Sequence, residues 1–294
     1  MTYNRLGIEA GEAGGAMWTA KRAPFAVIAL VVLAQVFFDA LFNLVIFKQG
    51  WLRPIYFATH GLINLTLIAN AILLGIVVIG MIVRIGRLRA HDLGLSWAGL
   101  RAAALFALAL WAAVNLGVIG FWLAAGKTLA IDPAWQKPLA NIGDFLAQIF
   151  GNALYEEIVY RGFLTVQIAL LLQRFGKTAA VIGGGFIAQA IFAVIHVPML
   201  IVTGNNWAQI ADLLPQVFAI GCILAAIYLI TGNLLLAVAA HALTDAYMLI
   251  FAAPMETSDS ANFVYSMLAL LLVGGWWVMQ GRKEKGAGVA TGPL

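Results

Sequence analysis

Cysteine is almost missing: Cys222 stands alone in 294 residues, so neither an intrachain disulfide nor a cysteine cluster for a metal can form. Charge is scarce as well. Charged side chains make up 10% of the chain, where a soluble domain has roughly a quarter. Hydrophobic residues reach 63% and the mean hydropathy is +0.95, a balance that suits lipid rather than water as the solvent. The HExxH pattern of soluble metalloproteases does not occur. The apolar–polar alternation of a membrane barrel is missing too. No strand precedes Gly183–Gly184–Gly185, so these glycines suit close helix packing and not a phosphate loop. The formal charge of +4 does not call for nucleic acid, because the bases sit at the ends of apolar segments, where membrane orientation explains them.

What is present is a series of eight apolar segments: 24–47, 61–83, 102–125, 143–172, 178–199, 213–231, 234–251 and 262–281. A bilayer core takes about 20 helical residues, and lipid offers backbone groups no partner but one another. The expected fold class is therefore all-α, a polytopic membrane bundle of about eight transmembrane helices. The first segment is too long for a signal-peptide core and reads as an uncleaved span. The inner flanks would hold Arg5, Lys21, Arg22, Arg84, Arg87, Arg89, Arg101, Arg174, Lys177, Arg282, Lys283 and Lys285; the outer ones hold only Lys48, Arg53, Lys127 and Lys137. That bias puts both termini in the cytoplasm of a multi-pass protein, expected in the cell (inner) membrane. The chain divides into an N-terminal tail (1–23), N-terminal transmembrane helices (24–142), a core carrying the chemistry (143–251), and a last helix with a C-terminal tail (252–294).

Charges inside spans carry the functional signal. An uncompensated one at mid-span costs roughly 2.5–3.5 kcal/mol, so each needs a reason. The fourth segment contains Glu156, Glu157 and Arg161. Glu157 and Arg161 are one helical turn apart and can pair; Glu156 points about 100° away and must find its partner on another helix. Downstream, Gln189, Phe192 and His196 share a face of the fifth segment, and His241 and Asp245 share a face of the seventh. Asp39, in the first span, is expected to be a satisfied structural or cavity residue.

Glu156-Glu157-x-x-x-Arg161, Phe192-x-x-x-His196 and His241-x-x-x-Asp245, in this order and each in a span, resemble the motif set of the CAAX-processing and bacteriocin-processing (CPBP, Rce1/Abi-type) intramembrane proteases. The resemblance implies an intramembrane endopeptidase acting on a peptide or membrane-protein substrate in the bilayer. In it Glu156 and His196 polarise a water, Glu157 and Arg161 form a supporting ion pair, and His241 with Asp245 completes the site. Asparagine is also usual where Asp245 stands, and a carboxylate there suits a role in holding the His241 ring. Glu156, His196 and His241 could also serve as three ligands of a catalytic zinc, with a metal-free glutamate mechanism equally open.

Two alternatives use the same residues: a non-proteolytic scaffold or immunity protein on the same fold, and a proton-coupled transporter, for which no internal repeat is found. One geometric conflict stands. Counted from Thr178, His196 lies roughly 27 Å from the inner surface, but Glu156 and His241 lie roughly 10 Å from it. To meet, the fifth helix must begin deeper, tilt or extend past the bilayer. Cleavage is expected near the cytoplasmic face.

Overall fold

The computed structural model describes residues 20–252 and 264–276. Arg5, Arg282, Lys283, Lys285 and the ends of the eighth segment lie outside these residues. Among the described residues there is no β-strand, only one isolated bridge between Ile131 and Phe251. Six helices are long and apolar enough to cross a membrane: α1 (Phe25–Phe47), α3 (Leu65–Ile85), a span at Ala90–Ala124 whose helix proper is α4 (Trp97–Ala124), α5 (Pro138–Phe175), α6 (Lys177–Val202) and α7 (Trp207–Thr231). The short α2 (Arg53–Ala58) lies between α1 and α3. Two further apolar helices among the described residues, α8 (Leu234–Asp245) and α9 (Val264–Trp276), are shorter.

Helix ends follow local chemistry. Asn64, Asn206 and Asn233 cap α3, α7 and α8 by accepting backbone N–H groups of the first turn. Asn206 and Gln209 form a reciprocal capping box. Gly232 stops α7 at a φ of +66°, where a side chain would be strained. The loop after α3 and the first turn of α4 seal this turn: Gly94 O accepts Leu234 N, and Asn233 Nδ2 donates to Gly99 O.

The seventh segment departs from expectation. Its sequence predicts one span over 234–251, but the helix ends at Asp245 and residues 246–252 run on without regular structure. Lipid cannot satisfy such backbone, so neighbouring protein must. Trp111, Trp135 and Trp122 donate their indole N–H groups to the carbonyls of Met248, Leu249 and Ala252, at 2.8, 2.7 and 2.8 Å. Asn115 Oδ1 accepts Ile250 N, and the Tyr265 hydroxyl of α9 donates to Tyr247 O. Residues 130 and 132 pair with 252 and 250 through backbone bonds. The unwound half of the crossing is thus clasped by α4, α9 and the loop before α5.

α5 is the most enclosed of the long helices. Wide-turn π-helical segments, Gln148–Asn152 and Glu157–Thr165, border Glu156 and Glu157; such departures inside helices often mark functional positions. α6 packs closely on the second half of α5. A Cβ on Gly184 would fall 2.8 Å from both Ala169 and the Thr165 carbonyl, which accounts for small residues there.

Candidate active site

α5 and α6 form an antiparallel hairpin about Gly176. Glu156 precedes Phe175 by as many residues as His196 follows Lys177, about 28 Å in each arm at 1.5 Å per residue. The two therefore meet at one level. The expected depth of roughly 10 Å for Glu156 is corrected by this count, and the conflict with His196 disappears. His241 joins them because α8 begins far up the hairpin: Gly162 of α5 lies against Leu93 and Leu234 at the start of α8, about 20 Å short of Phe175. The hairpin simply extends past the Gly232 turn.

Glu157 is the anchor of the cluster. Its Oε1 accepts from Arg161 Nη1 at 2.8 Å and from His241 Nδ1–H at 2.7 Å, and both Glu157 and Arg161 are fully buried. The other His241 nitrogen, Nε2, faces Asp245 Oδ2 at 3.4 Å and Glu156 Oε2 at 3.6 Å. Glu156 thus finds its basic neighbour on another helix, as its position on α5 requires. Its Oε2 is buried and without a hydrogen-bond partner among the described residues.

His196 ends the straight part of α6, and its Nδ1–H donates to Phe192 O at 2.7 Å. A carbonyl can only accept, so Nδ1 carries a proton; in the neutral ring Nε2 is then the acceptor. Phe192 explains the apolar member of the second motif. Its ring lies 4.5 Å from His196, 6.5 Å from His241 and 4.9 Å from Tyr160, centroid to centroid. The Arg161 guanidinium stacks over its face at 4.4 Å. One ring therefore spaces both imidazoles and covers the buried cation. Gln189, one turn earlier, is buried as the shared stripe predicts and donates to Thr165 Oγ1.

Glu156, His196, His241 and Asp245 all line one cavity of about 670 Å³, and Glu156 lies within electrostatic reach of both histidines. Asp245 and Asn152 are in contact at its wall, at 3.4 Å. The cavity also has a wall that motif reading passed over. Gln35, Asp39 and Asn43 form an i, i+4, i+8 stripe on α1 and all face it. Gln35 bridges Tyr155 and Tyr160, which flank Glu156; Asn43 Nδ2 donates to Asp39 Oδ1 at 2.9 Å. Asp39 Oδ2 is buried with no hydrogen-bond partner among the described residues, and Asp39 lines the cavity, one of the two roles expected of it. The signal was available as polar residues at helical spacing in an apolar span.

The side chains as arranged do not fit the zinc set. Among the described residues no three of His, Cys, Asp and Glu converge on one ion-sized point. His241 commits Nδ1 to Glu157 and turns Nε2 toward Glu156 and Asp245.

Residues 138–247 match the family model described as type II CAAX prenyl endopeptidase Rce1-like. No curated protein and no solved structure matches the chain. The matched stretch contains Glu156, Glu157, Arg161, His196, His241 and Asp245, and is thereby recognised as an Rce1-like domain, of the CPBP family of intramembrane proteases, within a multi-pass membrane protein.

Proposed function

We propose that the protein is an intramembrane endopeptidase in which Glu156 and His196 activate a water for attack on a peptide carbonyl. The observation that carries this reading is the meeting of Glu156, His196 and His241, from three helices, on one cavity. Peptide hydrolysis needs an acceptor for the water proton, a second group to orient the water, and donors facing the developing oxyanion. Glu156 Oε2 is the acceptor, with no hydrogen-bond partner among the described residues. His196 Nε2 is the orienting group, because its Nδ1 proton is fixed on Phe192. The water oxygen attacks the carbonyl carbon while its proton passes to Glu156. Glu156 then returns that proton to the amide nitrogen as the C–N bond breaks.

Glu157 and Arg161 are positioning residues: they hold His241, which with Asn152 provides N–H groups on the side where the oxyanion forms. Asp245 faces the His241 ring and Asn152, consistent with a carboxylate that orients donors instead of donating itself.

The test compares new peptide termini in membranes from cells making wild type or Glu156→Gln. Termini that appear only with wild type are expected. Equal sets from the two, or none that depends on wild type, remove the endopeptidase reading and leave a scaffold on this fold.

A further inference from the structure

The cavity has a direction. Its deep end is formed by Gln35, Tyr160 and Phe192, and from there its lining runs along each helix toward the same face of the bundle. It reaches Phe47 at the end of α1, Thr66 at the start of α3, and Thr203 and Asn205 in the turn between α6 and α7. A second hollow of about 360 Å³ shares Phe47 and Thr66 with it and continues to Arg53, Tyr56 and Phe57 on α2. Nothing in the lining belongs to the loops at the other face, where α3 meets α4 and where the hairpin turns at Gly176.

The two faces differ in charge. The hairpin face carries Lys21, Arg22, Arg84, Arg87, Arg89, Arg101, Arg174 and Lys177 among the described residues, and the cavity face carries Lys48, Arg53, Lys127 and Lys137. Cationic loops stay on the cytoplasmic side. We infer that the site opens to the non-cytoplasmic side of the membrane, so that its substrates are exported peptides or the outward-facing ends of membrane segments. This rests on the endopeptidase reading for the word substrate, but not for the side of access. It replaces the expectation of cleavage near the cytoplasmic face. A prenylated C-terminus, made in the cytosol, would meet the closed face.

The test is labelling of single cysteines in the full chain, in intact cells, with a membrane-impermeant maleimide. Cys222→Ala provides the background. Thr203→Cys reports the mouth, Asn43→Cys the cavity wall, and Arg174→Cys the hairpin face; Asn205→Cys and Lys177→Cys stand in for a variant that does not accumulate. Thr203→Cys and Asn43→Cys are expected to label in intact cells at least tenfold faster than Arg174→Cys, which labels only after permeabilisation. Labelling of Arg174→Cys in intact cells with Thr203→Cys protected overturns the orientation. Labelling of Thr203→Cys with Asn43→Cys reacting only after permeabilisation overturns access from that side. Because labelling needs no turnover, neither result depends on whether the chain cuts peptides.

Discussion

Replacing Arg161 by methionine is the most informative perturbation, because Arg161 and Glu157 are both fully buried and share one oxygen with His241. In Arg161→Met the Glu157 carboxylate keeps only the His241 bond and loses its 2.8 Å partner. Breaking a buried pair by removing one member costs about 3–5 kcal/mol, since a charge is left uncompensated. The Phe192 face also loses its stacked cation, worth about 1–2 kcal/mol when desolvated. The double variant Glu157→Leu/Arg161→Met removes both charges, leaving mainly the unpaired His241 Nδ1–H, a penalty of about 1–3 kcal/mol. The double variant is therefore expected to be more stable than the single one by about 2 kcal/mol. Activity runs the other way. The double variant frees the His241 ring and is expected to lose about 100-fold in cleavage rate, the effect of losing a group that orients a working side chain. Reversible unfolding in mixed detergent micelles measures the stabilities. A loss under about 1 kcal/mol for Arg161→Met, or a double variant no more stable than the single, would refute the view of Glu157 as a charge held by two donors.

Gly221 lets α7 approach the cluster: a Cβ there would lie 3.1 Å from both Gln189 and Phe192 and 3.4 Å from Arg161. Gly221→Ala should lower stability by about 1–3 kcal/mol through overpacking and shift Phe192 against His196, read as lower kcat at near-normal KM. Trp135→Phe removes the indole donor to Leu249 O and should cost about 1 kcal/mol, with faster amide exchange over 246–252 than in Trp97→Phe, an exposed control. Because the donors do not converge on an ion, a strong chelator such as 1,10-phenanthroline should leave cleavage within about twofold, and metal analysis of purified protein should find less than stoichiometric zinc; stoichiometric metal lost in His196→Ala would reverse that conclusion.

The helical class and most spans were legible because lipid imposes a long apolar run on every crossing. The Glu157–Arg161 and His241–Asp245 pairs were legible because each lies within one helix, where spacing fixes proximity. The bond from His241 to Glu157 was not, since local spacing says nothing about which of two adjacent glutamates a distant helix will meet. Counting depth from assumed membrane surfaces misplaced Glu156, whereas counting from the shared Gly176 turn places it beside His196 without reference to lipid. The end of α8 at Asp245 was hidden for another reason: residues 246–252 are as apolar as a helix, and the indole donors that let them unwind come from elsewhere in the chain.

Having Glu156 and His196 equally far from the Gly176 turn has a mechanical consequence. A rocking of the hairpin about its tip would carry Glu156 and His196 through the same arc, and any displacement of α8 against it would strain the His241–Glu157 bond that links the two at the cavity.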